Sequence, residues 1–258
     1  MKVSNIFKGI VFLLLLVGVV GYIVYFFMNR TDGDPREVCT EVSLVVEDNP
    51  NAAFIDNPKV EALLQKAHLY PKGKLMKDID TQAIEEALQQ NNFIASVECY
   101  KTNHGMPVGK GKVCIRVTQR TPVIFVLPEG QNGYFVDQEG MVLADNGYVK
   151  NIITATGHIS KEYASEYLAA FGRYLLNNEF WDNMIEQIYI EQNSKGEPVA
   201  TLIPRIGEHT IFLGSLDQLD TKLRRLQIFY EQGFPQVGWN KYSRLDLQYS
   251  NQIVCTKK

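Results

Sequence analysis

FIASVECYKT (93–102), NHGMPVGKG (103–111) and KVCIRVTQR (112–120) run consecutively through the first half of the chain. The outer two are rich in β-branched and aromatic residues, and the middle one in Gly and Pro. They read as two strands joined by a turn. Upstream, VCTEVSLVVE (38–47) places Val42, Leu44 and Val46 at period two, the pattern of another strand. Between these strands lie two helices. One begins near Pro58 behind Asn57, a good N-cap, with Val60, Leu63, Leu64 and Ala67 on one face. The other begins at Asp80, with Ile79 placed to staple against Ile84 and with Ala87 and Leu88 continuing the apolar face. The order strand, helix, helix, strand, strand predicts one sheet with two helices packed on it. This domain spans 38–121.

Thr121-Pro122 closes that unit, and residues 122–258 read as a mostly antiparallel β domain with two packed helices. VIFVLP and YFVDQEGMVL are strands, the second broken by a turn at Asp137–Gly140. A helix over 161–177 follows Ser160, with Ala164, Leu168, Phe171 and Leu175 as its stripe. Strands come at IEQIYIEQ (185–192), PVATLIP (198–204) and HTIFLG (209–214), the first two joined through NSKGE. Ser215 and Gln218 form an S-x-x-Q capping box for the next helix. Leu216, Leu219, Leu223, Leu226 and Tyr230 are its buried face, and Gly233 its end. SRLDLQY (243–249) and QIVCT (252–256) are the final strands, separated by Ser250-Asn251.

The run from Gly9 to Asn29 is uncharged and apolar. As a helix it would be about 31 Å long, against a hydrocarbon core of about 30 Å. It is longer than the apolar core of a signal peptide, and no small-x-small cleavage site follows it. We expect an uncleaved anchor in the bilayer over 9–29, a cytoplasmic tail over 1–8 and a polar linker over 30–37. Lys2 and Lys8 precede the run and acidic residues follow it, so the N-terminus is expected in the cytoplasm and the remainder outside.

The net charge is −3, and residues 1–30 contribute three cations and no acid, which leaves −6 on residues 31–258. That balance argues against nucleic acid as a partner. Cys39, Cys99, Cys114 and Cys255 include no C-x-x-C pair, and His68, His104, His158 and His209 are scattered, so no metal or cofactor site is expected. Cys99 shares parity with inward Val97, whereas Cys114 alternates with inward Val113 and Ile115. Opposite faces of a sheet argue against a disulfide between them. No nucleophile elbow, S-x-x-K, H-E-x-x-H or phosphate loop is present. Asp137 and Glu139 are turn chemistry rather than paired catalytic carboxylates, and His209 reads as a singly hydrogen-bonded histidine. No catalytic residue is expected. The final strand is different: a strand at a sheet edge carries backbone groups able to pair with another chain, or lysines such as Lys257 and Lys258 that merely protect it.

The basic tail and anchor, the unit closing with NNFIASVECYKT and KVCIRVTQRTP, then YFVDQEGMVL, IFLG with LDTKLRRL, and the terminal RLDLQYSNQIV resemble, in order, the FtsQ/DivIB family of bacterial cell-division proteins. The resemblance implies that 38–121 is a POTRA domain and that the chain is a non-catalytic scaffold of the division septum. It implies partners of the bitopic FtsB and FtsL type, added as a strand at the C-terminal edge, and other division proteins met through the POTRA and membrane segments. Carried over by motif, the partner-binding residues are Tyr249 and Asn251 with the backbone of Gln252, Ile253, Val254, Cys255 and Thr256. Gln248 and Lys257 depart from the family pattern. Tyr249→Ala or Ile253→Glu is expected to weaken partner binding without unfolding the domain. A POTRA-bearing module for protein translocation or outer-membrane assembly is the alternative, and an envelope enzyme with an unfamiliar site a further one.

Overall fold

The computed structural model describes residues 15–25, 36–48, 52, 54–103, 110–145 and 152–258. Residues 15–25 are helical, and their apolar side chains, Leu15 to Tyr25, are exposed. No helix among the described residues is long and apolar enough to cross a membrane. The expected anchor over 9–29 lies partly outside the described residues, as do the tail over 1–8, most of the linker and the turn at 104–109.

The remainder divides into two units. The first takes residues up to Val45, Asn57–Gln89 and Val97–Val117, and the second takes Val46–Asp56, Gln90–Ser96 and Thr118–Lys258. The small sheet has strands β1 (Val38–Val46), β2 (Ile94–Asn103) and β3 (Lys110–Gln119) in the order β1-β3-β2. Helices α1 (Asn57–Lys66) and α2 (Thr81–Gln89) supply its apolar cover through Val60, Leu64, Ile84 and Leu88, all buried. Asp80 caps α2 as expected: its Oδ1 accepts from the Ala83 N–H at 3.1 Å. A 3-10 turn at Met76–Asp78 has no counterpart in the sequence reading. Val97 and Cys99 are buried on β2. On β3, Val113 and Ile115 are buried while Cys114 is half-buried, the parity expected, and all four cysteines are free.

The second unit is built on a nine-stranded mixed sheet. Its strands are β4 (Pro122–Pro128), β5 (Tyr134–Asp137), β6 (Val142–Ala144), β7 (Thr154–Gly157), β8 (Ile185–Gln192), β9 (Pro198–Pro204), β10 (Thr210–Gly214), β11 (Tyr242–Asp246) and β12 (Val254–Lys257). They lie in the order β12-β11-β10-β9-β8-β7-β4-β5-β6. Most joints are antiparallel, as expected, but β4 with β7, β7 with β8 and β10 with β11 pair in parallel, so the sheet is a mixed one. Parallel partners cannot be joined by a tight turn. Helices carry the chain across instead: α3 and α4 between β7 and β8, and α5 between β10 and β11. Helix α3 runs through Lys161–Tyr163, a π-helical turn at Ala164–Leu168, and Ala169–Leu176, and α4 is the short Glu179–Met184. Helix α5 runs through Leu219–Ile228, a π-helical turn at Phe229–Gly233, and Phe234–Val237.

Among the described residues, three helices, not two, therefore pack on the sheet. Ala164, Leu168, Phe171 and Leu175 of α3, Trp181 of α4, and Leu223, Leu226, Tyr230 and Phe234 of α5 meet Ile124, Val126, Ile188, Ile190, Leu202, Ile211 and Leu245 in one core. Ser160 caps α3 as expected, accepting from the Tyr163 N–H at 3.1 Å. The expected capping box of α5 does not form. Gln218 sits in the left-handed region with no side-chain cap bond, and the helix starts at Leu219. The carbonyls of Leu213 and Ser215 instead accept from the buried Lys222 ammonium at 3.0 and 2.7 Å. Nor does Gly233 end the helix. The wider π-helical turn carries the chain past it and relieves the clash that Pro235 would make in a regular helix.

The turn at 137–140 is as read. Asp137 Oδ1 accepts from the N–H groups of Glu139 and Met141 at 2.9 and 2.7 Å, and Arg120 donates to both Asp137 and Glu139 at 2.8 and 2.7 Å. His209 is buried with one hydrogen bond, Nε2 to the Tyr230 hydroxyl at 2.6 Å.

Candidate functional site

Strand β12 forms one outer edge of the nine-stranded sheet. It pairs antiparallel with β11 through Asp246↔Val254, Leu245↔Cys255, Arg244↔Thr256 and Tyr242↔Lys257. Its side chains alternate as a half-buried strand must. Ile253, just before the strand, and Cys255 are half-buried against the core, while Val254 and Thr256 are exposed on the other face. Burial pushes the Cys255 thiol up from its ordinary range, so it sits here as a small apolar group. Alternate backbone N–H and C=O groups of an edge strand point away from its single neighbour, and those of β12 form the open ladder of this edge.

Strand β11 under it is well anchored. It lies parallel to β10, with Leu245 buried opposite Ile211, and the Leu247 N–H donates to the Phe212 carbonyl at 2.9 Å. On the face away from the helices, the Arg244 guanidinium lies 4.1 Å from the centre of the Phe212 ring, a cation–π contact that shields the strand pair. At the far end of β12, Lys258 pairs with Glu208, and the Lys258 N–H donates to the Lys241 carbonyl at 3.3 Å.

The expected strand over 243–249 ends early, at Asp246. Residues 247–253 form a loop whose backbone groups are used elsewhere. Asp246 Oδ1 accepts from the Gln248 N–H at 3.0 Å. The Arg225 guanidinium, reaching from α5, donates to the carbonyls of Tyr249 at 2.5 Å, Leu247 at 3.2 Å and Gln252 at 3.3 Å. Carbonyls turned toward a cation cannot extend the ladder, and the expected second strand accordingly starts at Val254 rather than Gln252. The loop holds Tyr249 outward, 51% exposed, beside exposed Asn251 and Gln252.

The seven residues read from the sequence thus lie together at this edge, in three roles. Tyr249, Asn251 and Gln252 are on the loop, Val254 and Thr256 face outward on the strand, and Ile253 and Cys255 face the core. That last placement corrects one expectation. Ile253→Glu would put a charge against the core and cannot test the surface alone, whereas Val254 is 41% exposed and can. Arg225 was missed, because in the sequence it is one more cation in LDTKLRRL and nothing marks it as the clamp of a loop over twenty residues later. Among the described residues, no three His, Cys, Asp or Glu groups come together to hold a metal.

Comparison with protein-family models matches residues 37–118 to a POTRA-like domain and residues 121–256 to the family described as FtsQ/DivIB, C-terminal related. A comparison with curated proteins returns no match. The second match takes in β4 through Thr256, which includes the edge just described up to its last two residues and more than half of the 258 residues. The chain therefore belongs to the FtsQ/DivIB C-terminal-related family.

Proposed function

We propose that this protein is a non-catalytic, membrane-anchored scaffold of the division septum that recruits bitopic proteins of the FtsB and FtsL type by adding a strand of the partner to β12. The observation that carries the reading is the open edge itself, paired on one side only and held at its approach by Arg225. The family match, which spans that edge, supports the same reading. Strand addition draws affinity from main-chain hydrogen bonds and specificity from alternate side chains. Val254 and Thr256 offer one contact face, and Tyr249 and Asn251 flank its start. The exposed apolar residues 15–25 support an anchor over 9–29, and Lys2 and Lys8 ahead of it favour a cytoplasmic N-terminus with the two units outside the membrane. The POTRA-like unit and the anchor are free to meet other division proteins.

The test is a titration of the full chain in detergent micelles with peptides from the extracytoplasmic ends of the FtsB- and FtsL-type proteins of the same bacterium. Val254→Glu would add negative charge to the contact face and Val254→Lys positive charge, each on a side chain that is 41% exposed. Each should weaken binding at least tenfold while the melting temperature moves by no more than a few degrees. Tyr249→Ala should weaken it by a smaller factor. Unchanged affinity in both Val254 variants would remove this edge from the binding surface.

A further inference from the structure

Beyond the edge strand, the second unit carries a cleft of about 630 Å³ between the start of α3, the β8–β9 turn and the β10–α5 loop. Two tyrosines form one wall. Tyr163 and Tyr167 stack with ring centres 5.2 Å apart and planes 20° from parallel, and Tyr167 is 44% exposed. Tyr167 lies on the π-helical turn of α3 and Tyr163 immediately before it, and such turns are common where a helix is shaped for a site rather than for packing. The charged lining residues are Glu197 and Asp217, both exposed carboxylates, and the polar lining includes Asn193 and Gln248. Among the described residues, no lysine, arginine or histidine lines the cleft.

The far wall is rigid. Lys222 ties down the carbonyls of Leu213 and Ser215, and Gly214 adopts φ +68° where a Cβ would lie 2.7 Å from Gln248 Nε2. Lys222 feels the Asp217 carboxylate electrostatically, but its ammonium is buried and committed to those two carbonyls. The Asp217 carboxylate and the Gln248 side-chain amide take no hydrogen bond from the described residues. Burial, then Tyr167 and Asp217, push the Tyr163 phenol up to about 12, so it stays neutral beside the cleft.

An aromatic face, an unspent carboxylate and an unspent amide lining one cleft, with no cation among the described lining residues, are together the requirements of a guanidinium. Its plane stacks on a ring, and its fork donates two parallel hydrogen bonds to a carboxylate. We infer that this cleft is a docking site for an arginine side chain of a protein partner, with Tyr167 as the platform, Asp217 as the bidentate acceptor and Gln248 as a further acceptor. Charge complementarity favours this occupant over a neutral sugar, whose hydroxyls could bond the carboxylates but would leave their charge uncompensated. The site is separate from the β12 ladder and does not depend on strand addition there.

The experiment uses the ¹⁵N-labelled full chain in detergent micelles and the blocked tripeptide acetyl-Gly-Arg-Gly-amide. Its comparators are the same peptide with citrulline, which keeps the shape and loses the charge, and chitotetraose. Saturable shifts confined to the amides around Tyr167, Asp217 and Gln248, with a Kd on the order of 1 mM, are expected for a single side chain. The citrulline peptide should bind at least tenfold more weakly. Asp217→Asn should bring the arginine peptide down to the citrulline level, and Tyr167→Leu should weaken it several-fold with the spectrum otherwise unchanged. Equal shifts from arginine and citrulline, no saturation with the arginine peptide, or chitotetraose moving these resonances where the arginine peptide does not would each overturn the assignment.

Discussion

Replacing Arg225 by alanine removes the one side chain that gathers the carbonyls of Leu247, Tyr249 and Gln252. A hydrogen bond from a charged donor contributes about 1.5–3 kcal/mol when it is well buried. Here two of the three lie at the exposed surface, where water replaces the donor, and only the bond to Leu247 is partly buried. A net loss of about 2 kcal/mol, confined to the loop and the strand after it, is the reasonable sum. At about 1.4 kcal/mol per factor of ten, local opening should rise roughly 30-fold. Hydrogen exchange read by mass spectrometry on peptides covering 242–258 should show that acceleration, while peptides from β8 and β9 keep their rates. Arg225→Lys should fall between, because it keeps the charge and loses the fork. Rates within twofold of the parent over 242–258 would refute the clamp. An equal acceleration over β8 and β9 would also refute it, since the residue would then be holding the whole unit rather than one edge.

Two further outcomes follow from buried titratable groups. Burial in the aromatic cluster of Tyr230 and Phe234, and then the Lys258 ammonium, lower the His209 pKa from 6.5, so the folded chain binds fewer protons than the unfolded one as pH falls. Its contribution is intact above about pH 6.5 and is lost as pH drops toward the lower folded value, with a slope of no more than about 1.4 kcal/mol per pH unit. Urea midpoints between pH 7.5 and 5 should show this component, and His209→Gln should remove it while other acid effects remain. In the first unit, burial and then the Glu85 carboxylate push the Cys99 thiol up to about 12. Iodoacetamide at pH 8 should therefore leave Cys99 unmodified in the native chain and reach it on addition of denaturant; rapid native alkylation at this residue would show that β2 opens more readily than its burial implies.

The elements that could be read from the sequence were those whose signal is local. Strands 185–192 and 198–204 carry alternation and a polar turn. The stripe of α3 repeats every three or four residues, and Asp80 and Ser160 cap the helices that follow them. What escaped depended on distant partners. Thr154–Gly157 has too little apolar content to read as a strand, and it is one because β4 and β8 flank it on both sides. Gly157 fits there at φ +105° because any Cβ would lie 2.1 Å from the Ile190 carbonyl oxygen. The capping box at Ser215 was sound as local chemistry, but Lys222 satisfies the loop from within the helix and leaves Ser215 no such task. At the edge, the identities of the seven residues were legible while their facing was not. The early end of β11, imposed by Asp246 and Arg225, sets which of Ile253 and Val254 meets solvent.

The three parallel joints divide the large sheet into pieces that differ in how they can be assembled. The strands β4-β5-β6, β8-β9-β10 and β11-β12 are antiparallel neighbours that can zip from short loops, whereas each parallel seam waits for distant chain to arrive. The β11-β12 pair hangs on the rest through one parallel seam, the α5 stripe and a few side-chain contacts, those of Arg225, of Arg244 with Phe212 and of Lys258 with Glu208. It is thus the piece best suited to open and close on its own while the remaining strands stay folded. A partner strand laid on β12 would bury its outer ladder and slow that opening, so occupancy of the edge would register as a change in the lifetime of one small cooperative unit long before it altered the melting of the whole.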